Sequence, residues 1–193
     1  MNLPTKITVS RIIMSPLFFL IFYLPEWTGG AFTQASVWVL IPLFIVMELS
    51  DALDGYIARK YNLVTDLGKI LDPFSDVISR VTFFICFTGI GLMPLWMLLL
   101  ILYRELGITF LRMFMMGRGT AMAASIWGKL KAITYTISSV GGLLYVAVVR
   151  LGWGSPQLFA TGRTALLFLF GFAVFASLAS FTTYAVHVAR STK

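Results

Sequence analysis

Apolar residues run along this chain in long blocks rather than in alternation. Six blocks come close to the roughly 20 residues a helix needs to cross the hydrocarbon core of a bilayer. They are Ile7–Leu24, Val37–Ala58, Ile70–Gly91, Leu95–Met116, Leu130–Val149 and Thr164–Val188. None has the period of two of a membrane strand, and in lipid every backbone N–H and C=O must find its partner within the protein, so the pattern predicts helices and excludes a barrel. The breaks between blocks are short and carry turn residues: Pro25-Glu26, Gly29-Gly30, Gly89 to Pro94 and Gly152 to Pro156. No linker long enough to separate domains and no internal repeat interrupts the series. The expectation is an all-α integral membrane protein with six transmembrane helices in a single domain over residues 1–193.

Composition agrees: 59% of the residues are hydrophobic, 12% are charged, and the mean hydropathy of +0.89 lies outside the range of soluble domains. A net charge of +7 raises the question of a nucleic-acid partner, but its distribution argues for topology instead. Lys6, Arg11, Arg59, Lys60, Lys69, Arg118, Lys129, Lys131, Arg190 and Lys193 fall at or near one set of helix ends, whereas the opposite loops hold Arg150 and Arg163. The positive-inside rule then places both termini in the cytoplasm. No small-residue cleavage site follows the first span before Glu26, so it is expected to be retained. Cys86, the one cysteine, lies inside the third span and reads as a packing residue.

Against this apolar background the carboxylates are unevenly placed. Asp51, Asp54, Asp66, Asp72 and Asp76, five of the eight acidic residues, fall between Ser50 and Val77. Asp51, Asp54, Gly55 and Ala58 follow the spacing i, i+3, i+4, i+7 and share one stripe of the second helix. Asp72 and Asp76, four apart, share a face of the third, which must run antiparallel to the second because one loop joins them. Counting from Arg59 and Lys69 at about 1.5 Å per residue brings the two pairs to matching depth, within about 3 Å. Four ionised carboxylates inside a membrane need partners, and neither stripe holds enough lysine or arginine to neutralise them. Hard oxygen donors without cysteine or histidine point to Mg²⁺ or Mn²⁺, ions that work on phosphates, and four acids suffice for a two-metal site. Gly55 and Gly68 let a ligand approach the backbone, and Arg59 offers charge-assisted bonds to a diphosphate. Asp66, in the loop, reads as solvated or as the cap of the third helix. Arg80 lies one turn beyond Asp76, placed either to pair with an aspartate or to face substrate.

These residues make up a known pattern. "DALDGYIAR" followed by "GKILDPFSD" resembles the signature of the CDP-alcohol phosphotransferase family, D-x-x-D-G-x-x-A-R then G-x-x-x-D-x-x-x-D, with Asp51, Asp54, Gly55, Ala58, Arg59, Gly68, Asp72 and Asp76 all in register. The resemblance implies the family's six-helix membrane fold. It also implies a metal-dependent transfer from CDP-diacylglycerol to a small alcohol, with two Mg²⁺ or Mn²⁺ ions. Asp51, Asp54 and Asp72 would ligate metal directly. Asp76 would be the general base at the edge of the site and a ligand of the second ion, and Asp54, Gly55, Ala58, Arg59 and Gly68 would line the nucleotide pocket. Within the family the chain looks most like the phosphatidylglycerophosphate synthases, which use glycerol 3-phosphate, through "NLPTKITVSRI", Arg104-Glu105 with Arg112, and "WGKLKA". Many of these carry lysine after the fourth aspartate, and here Val77 stands there.

For the acceptor phosphate the candidates are Arg104, Arg112, Lys129 and Lys131. Arg104 is singled out because it lies well within the fourth span and Glu105 is its neighbour in sequence rather than on its helical face. Other acceptors (serine, inositol phosphate, choline) stay open. A transporter using its acids as an ion or proton path is the reading from another class, and it predicts acids spread through the membrane's depth. An aspartate-rich prenyltransferase would need two separated acidic motifs in a longer chain. The expected setting is the bacterial cytoplasmic membrane with the site facing the cytoplasm. Membrane lipids are expected as partners, nucleic acid is not, and the family likeness suggests a homodimer.

Overall fold

The computed structural model describes residues 2–61, 63, 65–117 and 126–191, all of the regular structure among them being helical. Six helices follow in chain order: α1 (Leu3–Trp27), α2 (Thr33–Lys60), α3 (Asp66–Gly89), α4 (Leu95–Gly117), α5 (Ile126–Leu151) and α6 (Pro156–Ser191). By length and composition α1, α2, α5 and the Pro156–Val186 part of α6 can each cross a bilayer. In α3 and α4 the apolar runs are broken by charged residues, whose partners are described below. The chain is an all-helical integral membrane protein. Arg118 and Lys193 of the proposed basic flank lie outside the described residues.

The helices extend past the apolar blocks because their ends carry polar caps rather than ending where the grease does. The Asn2 side-chain oxygen accepts the Thr5 N–H at 3.1 Å, and Pro4 occupies the first turn, where its missing N–H is not needed. At α3 the cap is Thr65, whose hydroxyl accepts the Gly68 N–H at 3.1 Å, while Asp66 is the first helical residue. The capping role expected of Asp66 thus belongs to its neighbour, whose hydroxyl is well suited to an N-cap.

The residues group into two compact units. The first comprises residues 1–86 and 146–154, the second residues 87–145 and 155–193. In the first unit α1, α2 and α3 meet around Phe18, Phe44 and Phe83, with Phe83 centred 4.8 Å from Phe18 and 5.0 Å from Phe44. Phe18, Phe22, Phe83 and Leu40 are fully buried. Arg150 closes this unit at the other end from the acids. Its guanidinium lies over the Phe22 ring and donates to the Phe22 carbonyl at 2.7 Å and to Ser36 Oγ at 3.0 Å.

In the second unit α4 packs on α6, and Gly107 permits the approach: a Cβ there would come within 2.8 Å of the Phe181 ring. Its interior holds a polar cluster. Arg104 donates from one nitrogen to both Glu105 oxygens at 3.0 Å, from Nε to the Ser177 carbonyl at 3.3 Å, and from its other nitrogen to Ser180 Oγ at 2.9 Å. Lys131 Nζ is 2.7 Å from Glu105 and sits over the Tyr135 ring, whose hydroxyl is 2.7 Å from Ser177 Oγ. Contrary to the expectation from their adjacency in sequence, Glu105 is the partner of Arg104. Both side chains are long enough to turn into the same serine-lined interior, where pairing removes the cost of burying either alone.

Candidate active site

The acidic site is built by the first unit from three helices. Asp51 and Asp54 come from α2 and Asp72 from α3, as their spacing predicted, and one oxygen from each lies within 4.8 Å of the others. Asp54 is buried, whereas the Asp51 and Asp72 side chains keep 39% and 52% of their surface, so the group opens on one side. Asp76 is not part of this trio. Its carboxylate lies 3.9 Å from the Arg80 guanidinium, one turn along α3. Of the four carboxylates expected to converge, the cluster brings together three, Asp51, Asp54 and Asp72.

Arg80 in turn is held by Glu48, which accepts from two guanidinium nitrogens at 2.6 and 3.0 Å. Glu48 was not among the expected residues, although it stands three before Asp51 and continues the same stripe by one turn. The larger omission is Arg11. Read from sequence as a cytoplasmic anchor, it is 1% exposed and reaches from α1 into the middle of the trio. One nitrogen donates to Asp51, and the other to Asp54 Oδ2 at 2.8 Å and Asp72 Oδ1 at 2.9 Å. The Thr8 hydroxyl, one turn earlier on α1, also donates to Asp54 Oδ2 at 2.9 Å. Ser15, one turn later, lies 3.2 Å from Ser79 Oγ, and Ser75 donates to the Thr8 carbonyl. Thr8, Arg11 and Ser15, spaced three and four apart, form a polar stripe in an otherwise apolar span, and that stripe was the available signal.

A cavity of about 240 Å³ adjoins the trio. Asp54, Gly55, Ala58 and Arg59 line it from α2, Gly68 and Asp72 from α3, Pro4, Thr5 and Thr8 from α1, and Leu63 and Thr65 from the loop. Every residue expected to contact nucleotide is on its wall; the α1 and loop residues are additions. A Cβ at Gly55 would meet only the outer end of Arg59, at 3.5 Å, so no packing demand explains glycine there and the space belongs to the cavity. A Cβ at Gly68 would come within 3.1 Å of the Thr65 hydroxyl that caps α3.

The donor set suits a hard divalent cation. Three carboxylates against one guanidinium leave an excess of negative charge, the ligands are all oxygen, and Asp54 Oδ1 is buried without a hydrogen-bond partner. An orphaned carboxylate oxygen in this setting is a free ligand position. Of the acceptor candidates in the second unit, Arg104 and Lys131 share Glu105, whereas Arg112 and Lys129 are exposed.

Known proteins bear on these observations. The pattern of the CDP-alcohol phosphatidyltransferase family matches residues 1–155. A protein of Treponema pallidum named CDP-diacylglycerol–glycerol-3-phosphate 3-phosphatidyltransferase is 33% identical over 189 residues, covering 95% of this chain and 88% of its own. One of the same name from Bacillus subtilis is 38% identical over 149 residues, 75% of this chain and 77% of its own. Another from Haemophilus influenzae is 29% identical over 194 residues, 86% and 96% respectively. With three of its signature aspartates gathered in one cluster and relatives matched over most of its length, this chain belongs to the CDP-alcohol phosphatidyltransferase family.

Proposed function

We propose that this chain transfers the phosphatidyl group of CDP-diacylglycerol to glycerol 3-phosphate, forming phosphatidylglycerophosphate and CMP, as one catalytic domain in a bacterial cytoplasmic membrane with its site facing the cytoplasm. The observation that carries the reading is the carboxylate trio, two of whose members, Asp54 and Asp72, line a cavity together with Gly55, Ala58, Arg59 and Gly68. The names of the relatives supply the acceptor. Asp51, Asp54 and Asp72 would hold one Mg²⁺ or Mn²⁺, with Asp76 contributing to a second. When bound, such ions would offset the charge of the diphosphate and stabilise the departing CMP. Gly55 and Gly68 leave room for the nucleotide, and Arg59 donates to its phosphates.

Asp76 would act as base. A neutral hydroxyl is a poor nucleophile, and a carboxylate within one hydrogen bond takes its proton as the oxygen attacks the β-phosphorus and the bond to CMP breaks. Glu48, by holding Arg80, keeps a cation beside Asp76. For the acceptor phosphate, of the candidates Arg104, Arg112, Lys129 and Lys131, Arg112 and Lys129 offer exposed cationic donors, whereas Arg104 and Lys131 are already paired with Glu105. A second reading, transfer to another alcohol, is favoured by Val77 where many glycerol 3-phosphate enzymes have lysine.

The deciding experiment is CMP release by the purified protein in detergent, with CDP-diacylglycerol and each acceptor in turn. Fastest release with glycerol 3-phosphate is expected. Faster release with serine or another neutral alcohol would establish the second reading, and no release with any acceptor would remove both.

A further inference from the structure

The trio of aspartates does not stand alone, and the group that occupies it belongs to the protein. We propose that Arg11 is a positioning residue that gathers Asp51, Asp54 and Asp72 at ligand spacing before a divalent cation arrives and competes with that cation for the charge of the same three carboxylates. The inference rests on the metal reading above and concerns how the protein sets its affinity.

Three carboxylates with oxygens within 4.8 Å of one another repel, more strongly in a membrane than in water. Only a cation between them keeps them there, and Arg11 is that cation: one guanidinium contacts all three, drawing α1, α2 and α3 together. Its fork suits such bridging, since a guanidinium presents several donors in fixed directions. Yet the arrangement is incomplete on both sides. Asp54 Oδ1 and Arg11 Nε are each buried without a hydrogen-bond partner. A purely structural ion cluster of this burial satisfies its groups, and groups left unsatisfied mark a place where a further partner improves the arrangement. A divalent cation entering the trio draws on the same three carboxylates that Arg11 contacts and must sit near its positive charge. Arg11 therefore holds the ligands ready while lowering the affinity for the ion they are ready for.

Metal binding without substrate tests this directly. Mn²⁺ alone is titrated into the full-length protein in detergent, free Mn²⁺ being followed by its paramagnetic resonance signal, for the unmodified chain, Arg11→Met and Arg11→Lys. Arg11→Met should bind Mn²⁺ about tenfold more tightly or better, since a like charge within a few ångströms is removed. Its metal-free form should melt at a lower temperature, and the rise on adding Mn²⁺ should be larger than for the unmodified chain. Arg11→Lys, whose single ammonium cannot reach three carboxylates at once, should fall between the two. Equal or weaker Mn²⁺ binding by Arg11→Met overturns the proposal. Should that variant not be obtained folded, Arg11→Lys decides by the same criterion, tighter binding supporting competition and equal or weaker binding refuting it. Failure of all three proteins to bind Mn²⁺ saturably would instead overturn the metal reading, and the proposal with it.

Discussion

Each unit of this protein buries an ion cluster, and the two are built in opposite proportions. In the first unit three carboxylates share one guanidinium; in the second, two cations share one carboxylate. Arg104 has a partner for each of its donor positions, Glu105 is met from both sides, and Tyr135 and Ser177 complete the network. Around Arg11 an oxygen and a nitrogen are left over, and a cavity lies alongside. Burial of charge is thus not by itself a sign of chemistry. What separates a site from a strut is whether the cluster is satisfied by the fold or only by something the fold has yet to receive.

The largest effect expected from this difference is at the trio. Alanine at Asp51, Asp54 or Asp72 should reduce CMP release to background, as should excess EDTA, with Mg²⁺ or Mn²⁺ restoring the latter. A near-normal rate in any of the three variants, or full turnover in chelator, would place the chemistry elsewhere. Asp76→Asn comes next. Asparagine keeps the size but cannot take a proton, so transfer should fall by ~10²-fold while CDP-diacylglycerol still binds. Equal loss of binding and rate would make Asp76 chiefly a ligand.

In the second unit the same kind of change should act on the fold. Glu105→Gln leaves two buried cations without their shared anion and should cost about 3–5 kcal/mol of stability, read as a lower melting temperature. The KM for CDP-diacylglycerol in protein that remains folded should be unchanged, and a raised value would give this cluster a part in binding. The smallest expected effect is at the surface. Arg112→Ala should raise the KM for glycerol 3-phosphate by roughly tenfold and leave that for CDP-diacylglycerol alone, the loss of one charge-assisted bond to one substrate. An equal rise in both would remove Arg112 from the acceptor site.

Much of this was legible in sequence, for identifiable reasons. Apolar runs near the bilayer's thickness predict helices because lipid leaves few alternatives, and all six appear. The spacing of Asp51 and Asp54 predicted their place in one cluster, and that of Asp54 and Gly55 their common wall, because neighbours on one helix share a face whatever the rest of the chain does. Helix ends were less legible. α6 begins at Pro156 rather than Thr164, and α5 at Ile126 rather than Leu130, because helices continue beyond the hydrocarbon they cross. Arg11 escaped because its charge near a helix end looks like any positive-inside anchor, and its partners lie on other helices. Glu105 escaped as a partner because adjacency on a helix says where side chains start, not where long ones finish.

The distance in sequence between Arg11 and those partners has a consequence for biogenesis. Asp51, Asp54 and Asp72 follow it by 40, 43 and 61 residues. At about 5–20 residues synthesised per second, the last of them leaves the ribosome roughly 3 to 12 s after Arg11 does. During that interval the first helix must wait at the membrane with its arginine and no aspartate yet made to meet it. The arginine can snorkel to the interface or shelter in the translocation machinery. Either way, the ion pairs that bury Arg11 can form only after the second and third helices are synthesised.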